Sequence, residues 1–313
     1  VKAPLIGMLS SVVIGLGMVG VSIYSMKLYG AALFFGTPFL MGVTTSFAYN
    51  LRAARSLPMS IFLSLLSVVV TGSVILLFAI EGLLCLLMAF PIAAALSTLG
   101  ALVGWAIARH SGASPSHAAL SILALPGLAG AEHQTAAPQL HEVATAIEID
   151  APPERVWPNV IGFSELPPPP EVYFRLGIAY PMRARIEGEG VGAVRRCEFS
   201  TGPFVEPITA WEAPRRLAFD VASQPPSMSE LSPYKNVEAA HLEGYMVSRR
   251  GEFRLSPLPG GRTRLEGSTW YTLSIFPEPY WTVWGEALLH SIHGRVLRHI
   301  KQLSENEPGR GAP

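Results

Sequence analysis

Glu286, His290 and His293 stand at i, i+4 and i+7 near the end of the chain, one face of about two helical turns. Paired helical histidines can hold a metal. No second set of ligands accompanies them, so no metal is expected, and the face reads first as exposed and second as a proton donor at a pocket mouth. Glu198, Glu206 and Asp220 fall in strand-like runs, where carboxylates do acid–base work if their environments split their pKa values. Glu198 and Asp220 read as solvent-facing. Glu206 shares a face with Phe204 and Ile208, which predicts partial burial and pairing with Arg183 or Arg195. No Ser-His-Asp, phosphate-loop or dinucleotide-binding constellation is present, and no cofactor is called for.

A second group could bind rather than react. If Phe253 and Leu265 point inward, strict alternation brings Tyr245, Arg249 and Tyr271 inward with them, and Trp281 and Trp284 join from a helix. Aromatic surface with a few polar heads is the usual make-up of a small-molecule pocket. Ordinary core packing competes for the tryptophans, and a one-residue slip in a strand would reverse its faces. The ligand-binding candidates are therefore Tyr245, Arg249, Tyr271, Trp281, Trp284 and Glu206.

The elements that must position them lie in the second half. EVATAIEID (142–150) alternates as a strand, and APPERVW opens a helix with Asp150 expected as its N-cap. Pro167–Pro170 break the chain, and 171–178 reads as a short helix or turn. Strands follow at 182–188, 193–200, 204–211, 216–222, 244–257 and 262–275, the last two joined by a Leu-Pro-Gly-Gly turn. Residues 223–243 form a long loop between strands, fit either to cover a pocket or to lie passively on the surface. A helix from Pro279 to Glu305 closes the chain with Trp281, Trp284, Leu288, Ile292, Val296, Ile300 and Leu303 on one stripe.

This order resembles the START-like (SRPBCC) superfamily of polyketide cyclases/dehydrases, lipid-transfer domains and plant ligand-binding proteins. IEIDAPPERVW (147–157), WEAPRRLAF (211–219) and PLPGGRTRLE (257–266) carry the resemblance, which covers about 142–305. It implies an α+β helix-grip fold: a curved seven-stranded antiparallel sheet around a long C-terminal helix, enclosing an apolar cavity. Many activities share such a scaffold. The family does not generally need a metal.

The first half is of another kind. Residues 1–110 hold six charged side chains, Lys2, Lys27, Arg52, Arg55, Glu81 and Arg109, whereas 142–313 hold 18 basic and 21 acidic ones. Neither half concentrates basic charge as nucleic-acid binding requires. Four apolar runs are long enough to cross a bilayer, about Leu5–Ile23, Ala31–Tyr49, Pro58–Ile80 and Leu83–Ile107. Arg52, Arg55 and Arg109 place the second connection and the end of the fourth run in the cytoplasm. The run 116–131 is short, about 24 Å as a helix. It reads as a linker or as a fifth span, and we lean to the span, which would put the soluble domain outside the cytoplasm. Glu81 reads as a glutamate in the hairpin between spans, and Gly100 and Gly104 as a helix-packing pair. Cys85 and Cys197 lie far apart in different settings, so no disulfide framework is indicated.

The expected organisation is thus four transmembrane helices in 1–110, a linker with the short fifth run in 111–141, a ligand-binding domain in 142–305 and a tail in 306–313. The expected function is a membrane-anchored domain that binds a lipid or other hydrophobic small molecule. The alternative is a cyclase- or dehydratase-type enzyme acting on an apolar substrate, and a third reading is a structural protein with an incidental cavity. The expected partners are that molecule and the bilayer; the sequence sets no oligomeric state.

Overall fold

The computed structural model describes residues 2–53, 55–110, 138–234, 242 and 244–306. They divide into two compact units. One is Val1–Ala137 with Glu230–His241 and Ile275–Glu278; the other is Pro138–Ser229, Leu242–Ser274 and Pro279–Pro313.

The first unit is built on α1 (Lys2–Val19), α2 (Thr37–Asn50), α3 (Leu57–Leu77) and α4 (Leu83–His110). π-Helical stretches, Gly20–Ser25 and Ala32–Gly36, continue α1 and lead into α2. Four helices among the described residues are long and apolar enough to cross a membrane: Pro4–Ser25, Ala32–Asn50, Leu57–Leu77 and Leu83–Arg109. Their bounds lie within a few residues of those read from hydropathy. The run 116–131 lies outside the described residues.

The packing reverses that of a water-soluble bundle. Ser11, Thr45, Ser60, Ser64, Ser67 and Ser97 are fully buried, while Leu5, Ile6, Leu9, Val13, Phe62 and Phe90 are exposed. Most of these hydroxyls find partners, Ser97 being the exception: Thr45 donates to Ser11 at 2.9 Å and Asn50 to Ser60 at 2.8 Å. Small residues also let backbones meet. A Cβ on Gly42 would come within 2.1 Å of the Ser97 carbonyl, and one on Gly100 within 2.0 Å of the Phe39 carbonyl. Gly104 meets Val43 in the same way, so α2 and α4 touch backbone to backbone.

The bundle has two distinguishable ends. Trp105 donates to the Arg55 carbonyl at 3.1 Å, and Arg109 stacks on Trp105, so the arginines gather at one end. At the other, Tyr29 donates to the buried Glu81 carboxylate in the α3–α4 turn. Glu230–Tyr234 belongs to this second end: Leu83 N–H donates to the Leu231 carbonyl at 2.9 Å and the Tyr234 hydroxyl to Leu77 at 2.6 Å. The Cys85 thiol lies 2.9 Å from the Glu230 carboxylate, and Phe276 N–H donates to the Tyr29 carbonyl at 2.8 Å.

The second unit is a helix-grip fold. Its strands are β1 (Leu140–Ile149), β2 (Pro181–Glu187), β3 (Val194–Phe199), β4 (Gly202–Glu212), β5 (Arg216–Asp220), β6 (Met246–Leu258) and β7 (Arg262–Leu273). They form one antiparallel sheet in the order β1-β7-β6-β5-β4-β3-β2. Between β1 and β2 lie α5 (Pro153–Ile161) and the single turn α6 (Val172–Arg175); the long α7 (Glu278–Asn306) closes the unit. The β6–β7 turn needs Gly260 and Gly261, both at positive φ, +83° and +72°. Asp150 does not cap α5. The extended Pro152 precedes Pro153, and the Asp150 amide donates to Glu305 at 2.7 Å instead.

Alternation gives the sheet an inner face that takes Ile149, Leu265, Leu255, Leu217 and Ile208, all nearly inaccessible. Val296, Leu297 and Ile300 of α7 and Val156, Trp157 and Val160 of α5 pack into the same cluster. The core therefore fills the half of the grip that holds the C-terminal part of α7.

Candidate functional site

Going back along α7, the inner face becomes more polar and mixes sealed with half-buried side chains. Met246, Ser248, Phe253, Thr269, Phe204 and Phe199 share this face with sealed neighbours yet are only half-buried. Tyr271 sits deep among them, fully buried, its ring against Gly285 of α7 and 5.4 Å from the His141 ring. Glycines make room for rings: a Cβ on Gly251 would press to 2.5 Å from Phe219, and one on Gly267 to 3.4 Å from Phe253.

Two charged groups are buried in this apolar setting. Arg195 on β3 and Glu206 on β4 face each other in register and form an ion pair with side chains 2% and 7% exposed. The guanidinium also donates to the Ile161 carbonyl of α5 at 3.3 Å, and Phe163, Phe219 and Phe253 surround it at 5.4–5.6 Å. Burial works against the charge on Arg195, but Glu206 and Cys197 together outweigh it and hold the group above its ordinary value. Burial pushes the Glu206 carboxyl above the usual carboxylate range, with Arg195 pulling against it. Cys197, two residues along the same face, is pushed up to about 12 by burial and stays a thiol. Of the two partners expected for Glu206, Arg195 is the one; Arg183 pairs with Glu198 at 2.6 Å on the other side of the sheet.

A second polar group links α7 to β1 and β7. The Thr145 hydroxyl lies 2.7 Å from His290 Nδ1 and 3.2 Å from His293 Nδ1, and the Thr269 hydroxyl 2.8 Å from His293 Nε2. Burial, with His290 nearby, lowers His293 to about 4, so it is neutral at physiological pH. His290 is exposed, as is Glu286, while His293 is half-buried, so the helical trio does not share one environment. Further along, Arg295 donates to the Pro167 carbonyl at 2.8 Å beneath Phe174 and Tyr180, and burial lowers its pKa. Burial also lowers His299, against a backbone hydrogen bond with Ser164.

The other site candidates divide. Tyr271 is inward, and Trp281 is 9% exposed on the inner side of α7. Trp284 is 37% exposed, because at this level α7 turns Gly285 and Leu289 inward. Tyr245 and Arg249 do not face inward, and here strict alternation fails. The β6–β7 register shifts between Ser248 and Arg250, a bulge that sends two successive side chains outward. Arg249 bonds the Thr272 hydroxyl at 3.3 Å, and Arg250 stacks on Trp270 at 4.2 Å, both on the outer face. Met246 and Ser248 take the inward places instead. Gln224 holds this end of β6 by bonding the Met246 carbonyl and Ser248 amide, each at 2.8 Å. Thr269 shares its alternation with Leu265 and Tyr271, whereas Thr145, Met246 and Ser248 carry no sequence signal that singles them out; only the register identifies them.

A curved antiparallel sheet gripping a long C-terminal helix defines a START-like domain. Residues 141–273 match the family described as polyketide cyclase / dehydrase and lipid transport, and this part of the chain is a domain of that family. No curated protein matches the chain. Among solved structures it is similar to a protein from Nitrosospira multiformis, with 19% identity, covering 54% of this chain and 100% of that one, TM-score 0.34. It is similar to the ZhuI aromatase/cyclase from Streptomyces sp. R1128, with 15% identity, 56% and 100% coverage and TM-score 0.35. It is also similar to norcoclaurine synthase from Thalictrum flavum in complex with dopamine and hydroxybenzaldehyde, with 11% identity, 55% and 91% coverage and TM-score 0.37.

Proposed function

We propose that the START-like domain holds a lipid or other apolar small molecule between α7 and the inner face of its sheet, in a chain anchored in a bilayer by its four apolar helices. The observation that carries this reading is the gradient along the inner face. One half of the grip is sealed by aliphatic and aromatic side chains, while in the other half Met246, Ser248 and Thr269 point inward and keep part of their surface accessible. Such a surface suits an apolar ligand with few polar groups. The family description, which includes lipid transport, supports it. Anchoring is supported by the inverted packing of the helical unit, with hydroxyls inside and large aliphatic and aromatic side chains outside.

Arg52, Arg55 and Arg109, gathered at one end of the bundle, support a cytoplasmic position for that end, and we keep the extracytoplasmic side for the domain as part of the proposal.

A cyclase- or dehydratase-type activity is the second reading. Titratable groups do lie on the inner face, but Arg195 and Glu206 neutralise each other, which favours binding as the first. The test is to extract the full chain in mild detergent, precipitate it in organic solvent and identify released molecules by mass spectrometry. A stoichiometric apolar compound, absent from an equal preparation of the helical part alone, is the expected result. Bulk membrane lipid alone in both preparations would contradict the reading.

A further inference from the structure

We propose that Thr269, His293, Thr145 and His290 form a proton relay between solvent and a hydroxyl-bearing apolar ligand on the inner face of the sheet. This rests on the binding reading above and gives its ligand a chemical class: an apolar enol, phenol or alcohol whose proton can be taken up or returned.

The geometry is a continuous chain. Thr269 is half-buried on the inner face of β7, beside the sealed Tyr271 and opposite Gly251 of β6. Its hydroxyl is 2.8 Å from His293 Nε2; His293 Nδ1 is 3.2 Å from the Thr145 hydroxyl, and that hydroxyl is 2.7 Å from Nδ1 of the exposed His290. A neutral imidazole has one donor and one acceptor nitrogen, and a hydroxyl is both at once. Two arrangements therefore satisfy every link. In one, Thr269 donates to His293, His293 to Thr145 and Thr145 to His290, which leaves the Thr269 oxygen ready to accept from a ligand hydroxyl. In the other every bond points the opposite way, and Thr269 donates to a ligand oxygen.

Passing from the first to the second moves one proton outward. The ligand O–H breaks as its proton joins the Thr269 oxygen. The Thr269 proton passes to His293 Nε2, the His293 Nδ1 proton to Thr145, and the Thr145 proton to His290 Nδ1. His290, now an imidazolium, releases its Nε2 proton to water. The ligand is left as an anion one proton short, no electrons change hands, and the reverse sequence protonates it. His293 is neutral before and after, as its burial among the threonines requires. A simple staple between helix and sheet would need one threonine; two hydroxyls on opposite ring nitrogens, leading to an exposed histidine, make a path. Of the other titratable groups on the inner faces of β1 and β7, His141 and Tyr271 stack together 5.4 Å apart.

The test uses the full chain in detergent. With ¹⁵N-labelled histidine, titrating His290 should shift both ring nitrogens of His293 as the bonds reverse. Thr145→Val, close in shape but without the hydroxyl, should abolish that coupling, and Thr145→Ser should restore it. 2-Naphthol, an apolar hydroxyl compound whose neutral and anionic forms emit at different wavelengths, then probes the ligand end. Bound to the wild type it should emit as the anion, and bound to Thr145→Val as the neutral form. Binding with neutral emission in both, or His293 nitrogens that ignore His290, would overturn the relay alone. No binding of 2-naphthol to the wild type would contradict the binding reading and with it the ligand end of the relay.

Discussion

Glu206 and Arg195 show how much a single buried pair can decide. Removing one partner of such a pair leaves an uncompensated charge in an apolar setting, at a cost of about 3–5 kcal/mol. Glu206→Ala is therefore expected to lower the stability of the domain by roughly that amount, measured by denaturant unfolding. Arg195→Met with Glu206→Leu should recover most of the loss, because the Phe163, Phe219 and Phe253 rings can pack an apolar side chain. His293 makes a different prediction. Its native pKa of about 4 lies below the ordinary 6.5, so between those values the unfolded chain takes up a proton that the native one does not. Stability should fall as pH drops from 6.5 towards 4, by up to about 3 kcal/mol for this group, with His299 adding in the same direction. Thermal unfolding of His293→Gln should show a shallower dependence; an identical slope would contradict the assignment. The burial of Glu206 was legible in the sequence, since it alternates with Phe204 and Ile208. The pairing of His293 with two threonines was not, because its partners lie 148 and 24 residues away in sequence.

The elements were easier to read than the residues they carry. All seven strands and the closing helix follow from alternation, turn residues and a helical stripe, since each signal is local and repeated. A bulge is a single unrepeated event, so alternation across 244–257 carried Tyr245 and Arg249 to the wrong face. Arg249 is the hinge of that error. Deleting it should erase the bulge and leave Met246 and Ser248 inward, opposite Leu273 and Tyr271, in regular alternation. The expected outcome is a folded domain, by circular dichroism, that keeps its affinity for apolar probes. Lost affinity would show that the bulge itself shapes the site. The helical stripe misleads more gently: Trp281 is inward as the spacing implies, but Trp284 lies at the edge, so its replacement by Phe should matter less than that of Trp281.

For the whole molecule, composition alone separates an apolar half from a charged one, and the two units of the structure follow that division except for two short segments. Glu230–His241 and Ile275–Glu278 belong with the helices, which no local pattern in the sequence announces. Sidedness is open to a direct test. With Cys85 replaced by alanine and a cysteine placed at the exposed Glu189, a thiol reagent that cannot cross a bilayer should label intact cells. Labelling only after lysis would put the domain in the cytoplasm. The central claim, an apolar molecule held on the open half of the inner face, is tested most directly by filling that half. Ser248 points inward and is only half-buried, so Ser248→Trp should occupy the site without disturbing the sealed core around Leu265 and Ile300. The measurement is the saturable binding of a pyrene-labelled fatty acid to the purified full chain, alongside its thermal unfolding. The account predicts saturable binding to the wild type, and its loss in Ser248→Trp at an unchanged unfolding temperature. Equal binding by both proteins, or none by the wild type, would contradict it.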